Sequence, residues 1–466
     1  MAPAIKAVNQ RHKGAALILS MIFVIVFAAL AVSMAAMSGT NVQIASNQHK
    51  VNGAFTSAQS GLEILRFWLS RVAIPGTTAS DERLDEIAAS LQNELTSNDI
   101  TNLTTYYDSP TITIPTVTLD SGRGQSFSAV ITRIDSETLQ VNVTGVYGAV
   151  ARTIRVSYEF GTRAHTVFDF GVASKGPLSL AGNIELEGVN ISIESNAYIE
   201  SPSSLLALSI TGNSQIAGDV SIVNPVAFVN LQGGQAGIGG ETGQAAIDNH
   251  VTFGVPPTEF PAPNPDHFEP FAANVVDCNT DTTADATFEN VRILANTNPV
   301  FSGHVTLKGV VFIETPNVVQ FTGTADVIAV IVGDGSWTDN SAANEIRFLG
   351  NVNSQPISEL PCEDKFMEIR DETGTFVMAP GFHLSFGGSF TTLSGAVAGN
   401  GITFFGNAGG TINGSIINYS DREMALTGNS DLYFNRSGTG SGPAGFVPEI
   451  ILQYDPTSYS EVYFSS

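Results

Sequence analysis

The chain has 466 residues and a formal net charge of −24, with 44 acidic residues against 20 basic ones. Such an acidic surface repels phosphate groups, which argues against direct binding of nucleic acid. The length predicts more than one domain, and 45 glycines with only 14% charged residues predict a β-rich body with many tight turns.

The first predicted element is an apolar helix. A basic leader that includes Arg11 and Lys13 precedes an uninterrupted apolar stretch over residues 15–37. As a helix this stretch extends roughly 35 Å, enough to cross a bilayer. Eleven of its residues are Leu, Ile, Val or Phe, which together favour insertion by about 3–7 kcal/mol. The basic leader, residues 1–14, is expected to stay in the cytoplasm while the remaining chain crosses the membrane.

Three kinds of export segment fit this pattern. Small residues between Ala31 and Ala36 would allow a signal peptidase to cut near residue 37. A plain signal anchor needs only the charge step and the apolar span. The third possibility depends on Gly14, which lies between Lys13 and the apolar run, where prepilin-type signals are cut on the cytoplasmic side.

The run Lys13-Gly14-Ala15-Ala16-Leu17-Ile18-Leu19 resembles the N-terminus of type IV pilin-like proteins, most closely the PilX-type minor pilins. The resemblance covers about residues 11–70. It implies that prepilin peptidase cleaves after Gly14 and that Ala15 becomes the N-methylated mature terminus. It also implies that the helix, with Leu19, Phe23 and Phe27, is retained as the element that packs against other pilin subunits.

One residue departs from the pattern of major pilins. Those proteins usually carry Glu at the fifth mature position, where its charge can pair with the terminal amine of a neighbour, whereas this chain has Leu19. An unpaired carboxylate in lipid would be costly, so Leu19 eases insertion but removes the docking contact. The resemblance therefore implies a minor, priming or tip subunit.

The helix is predicted to continue beyond the membrane over residues 38–75. An apolar stripe with spacings of three and four favours packing on a sheet, while three glycines make bending or local melting plausible. The stripe consists of Val51, Phe55, Ala58, Leu62, Leu65 and Leu69, and the glycines are Gly39, Gly53 and Gly61.

Residues 76–168 are predicted to form a small α+β domain. A short helix is expected after Asp81-Glu82, and four alternating, β-branched strands follow. Their expected ranges are 111–119, 126–134, 138–147 and 151–160. A long helix packed on such an antiparallel meander is also what the resemblance to pilins implies.

Residues 169–466 are predicted to form a mostly β domain. An apolar-x-Gly-Asn motif recurs six times, and the strands between these corners are short. Gly and Asn tolerate left-handed backbone geometry, so the motif favours a β-helix or solenoid, with a β-sandwich as the alternative. The motifs end at Asn183, Asn213, Asn351, Asn400, Asn407 and Asn429.

A Pro-rich segment at about residues 231–290 is predicted to interrupt these strands. Prolines remove ladder donors, so the segment should lie over a surface, anchored by Phe260, Phe268 and Phe271. Residues 446–464 alternate aromatic and aliphatic side chains, which favours a final strand or cap of this domain.

The sequence gives no basis for naming catalytic or metal-binding residues. Cys278 and Cys362 are compatible either with a disulfide in an oxidising compartment or with two isolated thiols. Acidic groups such as Asp277, Asp281 and Asp285, or Asp334, Asp339 and Glu345, match no calcium-loop spacing and are typical of solvated loops. We therefore expect a protein that is not an enzyme and needs no cofactor or metal.

These observations favour a minor pilin or pseudopilin of a type IV pilus or a type II secretion-like filament. The expected location is the bacterial inner membrane, with one span and a periplasmic bulk, and then the cell surface after filament assembly. The expected partners are other pilin subunits, prepilin peptidase and the membrane, with a surface glycan as a candidate and no nucleic acid. The alternative is a membrane-anchored or secreted β-helix protein that binds or processes polysaccharide.

Overall fold

The computed structural model describes residues 12–98, 100, 102–338, 343–437 and 442–462. The chain divides into two units. The N-terminal unit comprises residues 1–74, 79–161 and 451–466, and the β-rich unit comprises residues 75–78 and 162–450. An N-terminal apolar helix followed by a large, mostly β region agrees with the predicted α+β class.

The α-helices are α1 (His12–Leu69), α2 (Arg83–Ser97) and α3 (Gly243–His250). Single turns of 3-10 helix occur at Thr166–Asp169, Ser192–Ser195, Pro265–His267, Glu269–Phe271, Ile357–Glu359, Asp364–Phe366 and Ile369–Asp371.

The strands that precede the β-rich unit are β1 (Ala73–Ile74), β2 (Tyr106–Asp108), β3 (Thr111–Asp120), β4 (Gln125–Arg133), β5 (Thr138–Tyr147) and β6 (Val150–Arg163). The next group is β7 (Val172–Ser174), β8 (Leu178–Gly182), β9 (Glu185–Gly188), β10 (Ala197–Ile199), β11 (Leu206–Gly212), β12 (Gln215–Ile216), β13 (Val220–Ile222), β14 (Phe228–Gln232), β15 (Gly237–Ile238), β16 (Glu241–Thr242) and β17 (Val251–Phe253).

Strands of the following group are β18 (Asn274–Val276), β19 (Ala286–Ile293), β20 (Val300–Phe301), β21 (Val305–Ile313), β22 (Val318–Phe321), β23 (Ala325–Gly333), β24 (Glu345–Phe348), β25 (Val352–Ser354) and β26 (Thr375–Ala379). The last group is β27 (His383–Phe386), β28 (Thr392–Leu393), β29 (Ala396–Gly399), β30 (Ile402–Phe404), β31 (Gly410–Ile412), β32 (Ile416–Asn418), β33 (Met424–Gly428), β34 (Leu432–Phe434) and β35 (Glu449–Val462).

The N-terminal unit is built on one sheet with the strand order β1-β35-β6-β5-β4-β3-β2. Strands β2 to β6 form an antiparallel meander, as their alternating patterns predict. The C-terminal half of α1 packs on this sheet, mainly on β5 and β4. The buried apolar side chains of the helix lie on one face, at Ala54, Ala58, Leu62, Leu65 and Leu69.

Glycines allow α1 to approach the sheet closely. A Cβ atom at Gly145 of β5 would lie 2.3 Å from the carbonyl oxygen of Ala54, and one at Gly61 would lie 2.5 Å from the Phe127 ring. Local melting at the helix glycines does not occur, since α1 is continuous over its described length. Packing on the sheet compensates for the low helix propensity of glycine.

The last strand belongs to a different unit from the one predicted. Residues 446–464 were expected to close the β-rich domain, but β35 lies between β1 and β6 in the N-terminal sheet. The Tyr454 ring lies 5.6 Å from the Tyr158 ring of β6, and Ser458 Oγ accepts a 2.7 Å hydrogen bond from the Ser157 amide. The alternating pattern of β35 satisfies either sheet, so it does not specify the partner strand.

The β-rich unit consists of three sheets that the chain visits in turn. Consecutive strands β7, β8 and β9 each enter a different sheet, and β10, β11 and β12 then pair in parallel with them, in the same order. The pairing is parallel in the described part of these sheets except between β15 and β16. The strand orders are β17-β13-β10-β7-β32-β29-β26-β23-β21-β19-β18 with β25 beside β23, β14-β11-β8-β33-β30-β27-β24-β22-β20, and β16-β15-β12-β9-β34-β31-β28.

Stacked identical side chains line the space between these sheets. Five phenylalanines at equivalent positions of successive strands of the second sheet are buried, with neighbouring ring centroids 4.7–5.2 Å apart. Their rings are nearly parallel, at 8–14°. The column consists of Phe301, Phe321, Phe348, Phe386 and Phe404.

Several Gly-Asn corners adopt the geometry that the motif predicts. Gly182, Gly212, Gly406 and Gly428 have positive φ, whereas the glycines of the other two motifs do not. Side-chain amides of the four following asparagines form a hydrogen-bonded ladder of 2.8, 3.1 and 3.4 Å, in the order Asn213, Asn183, Asn429, Asn407.

The Pro-rich segment connects the two ends of the first sheet. Strand β7 lies inside the first sheet, and the chain proceeds from it to β17 at one end of that sheet before resuming with β18 at the other end. Residues 254–273 make this passage, with Phe260 and Phe268 buried along it. The passage is shorter than the predicted range of 231–290, because strands β15 to β17 and β18 to β19 still belong to the sheets. Apolar residues of these strands, such as Ile238, still fill buried positions.

Candidate assembly helix

The described part of the first half of α1 has no buried residue, and its residues 16–37 form an apolar surface. Every residue from 16 to 50 is exposed, and we call this segment the exposed half of α1. The described part of α1, Ala16–Leu69, contains an 18-residue window with a mean hydropathy of 2.8 and no buried residue, so it is long and apolar enough to span a membrane.

Hydrogen bonding within the helix suits it to lipid. Ser20 Oγ donates to the Leu17 carbonyl at 2.9 Å, and Thr40 Oγ1 donates to the Ala36 carbonyl at 3.0 Å. No proline interrupts residues 15–69, so the backbone ladder is continuous. Both hydroxyls thus have acceptors inside the helix, which a bilayer core requires.

The predicted assembly residues share one face of the exposed half of α1. Leu19, Phe23 and Phe27 follow each other at spacings of four and are 59%, 55% and 65% exposed. The rings of Phe23 and Phe27 lie 6.3 Å apart at 27°. Burying such side chains contributes about 1.5–3 kcal/mol each, so this face is unfavourable in water and favourable in lipid or against another helix.

The predicted processing site lies at the start of the described residues. Gly14 and Ala15 are within α1, but their side-chain environment lies outside the described part of the structure, as do residues 1–11 of the leader. Cleavage between Gly14 and Ala15 therefore stays a prediction from the sequence.

The two cysteines do not form a disulfide in the structure. Cys278 and Cys362 are both free and exposed. Cys278 follows β18, while Cys362 lies between two 3-10 helices and its Sγ is 2.7 Å from Arg370 Nη1. The structure thus contains two free thiols in different loops, the second of the two alternatives left open by the sequence.

Acidic groups noted in the sequence have local structural roles. The Asp277 carboxylate accepts hydrogen bonds from the Asn279 amide at 3.0 Å and from Thr280 Oγ1 at 2.9 Å, which closes an Asx-type turn. Asp281 makes the corresponding contacts to Thr283. Asp339 lies outside the described residues. Within the described ranges, no three His, Cys, Asp or Glu side chains are grouped to hold a metal ion.

A polar cavity in the β-rich unit was not predicted from the sequence. It measures about 520 Å³ and is lined by residues that include Trp337, Glu345, His383 and Tyr419. These residues are up to 82 positions apart, and parallel pairing of β24, β27, β30 and β33 brings their segments together. Only the strand register could have revealed this grouping, and no local pattern encodes it.

Comparisons with known proteins agree with the character of the helix. Residues 13–63 match the PilX N-terminal family. Among solved structures, the competence-associated pilin ComZ from Thermus thermophilus is similar, with 10% identity, a TM-score of 0.23 and coverage of 89% of this chain and 97% of that chain. The chain has no significant match among curated proteins.

The family match lies entirely within α1 and includes the exposed half and part of the segment that packs on the sheet. Sequence and structure therefore agree on a type IV pilin-like N-terminal segment whose apolar helix is suited to membrane anchoring.

Proposed function

We propose that the chain is a minor pilin or pseudopilin that inserts into the bacterial inner membrane and then joins a filament. The observation that carries this proposal is the division of α1, since residues 16–37 are exposed and nearly all apolar while residues 54–69 are fixed on a sheet by one buried face. A helix divided in this way can hold its own domain and still offer a full apolar circumference to lipid or to neighbouring helices.

In this proposal, assembly replaces the lipid around the helix with the helices of neighbouring subunits. After prepilin peptidase cuts behind Gly14, the mature helix leaves the bilayer and packs among other pilin helices, with Leu19, Phe23 and Phe27 in the contact. Leu19 supplies no carboxylate for pairing with a neighbour's terminal amine. This absence of a charge contact favours a minor subunit present in few copies over a repeating major subunit.

The β-rich unit is the part that the filament would display. We interpret it as a β-solenoid, because parallel strands visit three sheets in turn and similar side chains stack along each sheet. Its surface serves in assembly, priming or adhesion, and we assign it no catalytic residue. The bulk of the protein is then periplasmic, or extracellular after assembly.

The processing step tests this proposal directly. We expect mass spectrometry of the purified protein to find an N-methylated Ala15 at the mature terminus. A Gly14→Ala variant should retain residues 1–14, because the peptidase needs the glycine. Gly39→Ala is a matched control, since a Cβ atom there meets nothing within 4 Å and cleavage should be normal.

Other termini would separate the alternatives. A mature start near residue 37 would identify a signal peptide and overturn the proposal. An intact leader in the wild-type protein, unaffected by Gly14→Ala, would identify a plain signal anchor. Cross-linking from the exposed half of α1, by a photoreactive residue in place of Phe23, should capture other pilin subunits in assembled filaments. The system of the captured subunits then distinguishes pilus from secretion pseudopilus.

A further inference from the structure

The cavity of about 520 Å³ lies entirely within the β-rich unit, at the starting edge of four neighbouring parallel strands. The register of β24, β27 and β30 pairs Glu345 with His383, and Leu384 with Ile402, so Gly401 comes next to His383. The volume of the cavity falls within the range of roughly 300–1,000 Å³ that is usual for small-molecule sites.

Glu345, His383 and Gly401 lie side by side at the starting edge of β24, β27 and β30, and Gly401 leaves open space beside His383. Gly401 has φ +100°, and a Cβ atom there would lie 2.6 Å from His383 Nδ1. The absence of a side chain therefore leaves the His383 ring uncovered at this point. The imidazole Nε2 lies 3.3 Å from Thr403 Oγ1, which fixes the ring beside the cavity.

Hydrogen bonds hold the Glu345 carboxylate in position. Glu345 accepts from Ser385 Oγ at 2.8 Å and from Arg347. Burial raises the pKa of Glu345, but the hydrogen bonds from Arg347 and Ser385 and the charge of Arg347 act against it. The net pKa is below the ordinary value, so the carboxylate is ionised at neutral pH. Burial lowers the pKa of His383, which leaves a neutral imidazole that can both donate and accept.

An aromatic pair forms another wall of the cavity. The rings of Trp337 and Tyr419 are stacked, with centroids 5.9 Å apart at 22°. Tyr419 is buried and donates from its hydroxyl to the Pro261 carbonyl at 2.5 Å, and Asn400 Nδ2 donates to the Trp337 carbonyl at 3.2 Å. Trp337 itself remains 40% exposed, so a large indole surface is offered beside polar groups.

Together, the aromatic wall and the polar wall restrict the chemical class of ligand that the cavity can bind. A pyranose ring has an apolar C–H face, which suits an indole, and hydroxyl edges, which suit carboxylate and imidazole partners. The charged lining residues are Glu345, Asp421, Glu423 and Arg422. Two further cations balance them, because Arg347 pairs with Glu345 and Lys175 Nζ lies 5.9 Å from the Trp337 ring. The walls therefore carry no net charge to attract a uronic acid or a phosphorylated sugar, which favours a neutral ligand.

We propose that this cavity binds a neutral saccharide, with Trp337 packing on a sugar ring and Glu345 and His383 hydrogen bonding to its hydroxyl groups. The inference gives a ligand class to the unit that the proposed pilin displays, and it depends on the proposed function only for the place of display. Binding itself requires neither processing nor filament assembly.

The chain contains two tryptophans, Trp68 and Trp337, which allows a site-specific measurement. A full-length Trp68→Phe variant in detergent has Trp337 as its sole indole. We expect its emission to shift to shorter wavelength with saturation on titration with at least one neutral trisaccharide from a panel of chitotriose, maltotriose and cellotriose. Trigalacturonate should produce a response at least tenfold weaker.

Variants identify the groups that bind. In calorimetric titrations with the responding trisaccharide, Trp337→Ala and His383→Ala should each weaken affinity at least tenfold. Phe228→Ala is the matched control, because Phe228 is an exposed aromatic residue of the same unit that does not line the cavity. It should bind like the wild-type protein.

Three results would overturn the proposal: no response to any neutral trisaccharide, tighter binding of trigalacturonate, or unchanged affinity in Trp337→Ala. The mature N-terminus of the same preparation reports independently on the proposed pilin function. A cleaved, methylated protein that binds no saccharide would refute only this inference, while a saccharide-binding protein that starts near residue 37 would refute only the proposed function.

Discussion

At the scale of single residues, a buried charge cluster near the end of the β-rich unit links stability to pH. Glu449 is 4% exposed, and its carboxylate lies 2.7 Å from Arg163 Nε and 3.0 Å from His165 Nδ1. Burial raises the pKa of Glu449, but His165 and Arg163 lower it by more, so the net pKa is below the ordinary value of 4.5.

The direction of that pKa shift makes a testable prediction for Glu449→Gln. A carboxyl group whose folded pKa is depressed contributes stability above its unfolded pKa and loses it as the pH falls through the folded pKa. In urea titrations, the variant should therefore be less stable than the wild-type protein above about pH 5. The difference between the two proteins should shrink as the pH falls below 4.5.

Glu187 supplies the control, because it is an exposed carboxylate of the same unit. Glu187→Gln should show no comparable dependence of its stability difference on pH. A difference for Glu449→Gln that stayed constant through the acid range would mean that the cluster acts by packing and not by charge.

At the scale of elements, the phenylalanine column connects successive strands of the second parallel sheet. Phe348 is at the centre of this column, with its ring 5.2 Å from Phe321 and 4.9 Å from Phe386, and it is fully buried. Stacked rings at this spacing add to the stability that burial provides. Removal of the central ring leaves a cavity that parallel strands on both sides cannot close.

We predict that Phe348→Ala lowers the free energy of unfolding by about 3–5 kcal/mol, measured by chemical denaturation. Phe405→Ala is the matched comparison, since Phe405 directly follows the column member Phe404 but is 37% exposed. It should cost less than about 1 kcal/mol. Equal losses in the two variants would show that the column has no special role.

The same elements show what could be predicted from sequence and what could not. Strands β3 to β6 agree closely with the ranges expected from alternation, because one face of each is buried and the period of two is visible locally. The apolar stretch of α1 is equally visible, because no charged residue occurs between residues 15 and 37. The partners of β7 and the cavity at Glu345 were not predictable, since both depend on which distant strand lies alongside.

At the scale of the whole chain, the order of strands departs most from the sequence order. The chain enters the β-rich unit at β7, in the interior of the first sheet. The strands up to β17 lie on one side of β7 in this sheet, and the strands from β18 to β32 lie on its other side. The pair β7–β32 joins residues 172–174 to residues 416–418, so strands that precede and follow the Pro-rich passage become neighbours. Such long-range pairing predicts slow folding of this unit.

The C-terminal strand offers the most direct test of this organisation. Because β35 lies between β1 and β6, a chain ending at Ile450 leaves the edge of β6 without its neighbour. Hydrogen-exchange mass spectrometry of that truncated chain should show faster exchange in β6, over residues 150–161, and in the segment of α1 that packs on the sheet. Protection of the strands between β7 and β34 should be retained, because their partners all remain.

A point variant separates loss of the strand from loss of one contact. Ser458→Ala removes only the hydroxyl that accepts from the Ser157 amide, so exchange should increase near Ser157 and not along the whole of β6. If truncation at Ile450 instead released the amides of β7 to β34 and left β6 protected, β35 would belong to the β-rich unit, as its position in the sequence had indicated. The faster-exchanging segment thus decides which sheet the chain completes with its last strand.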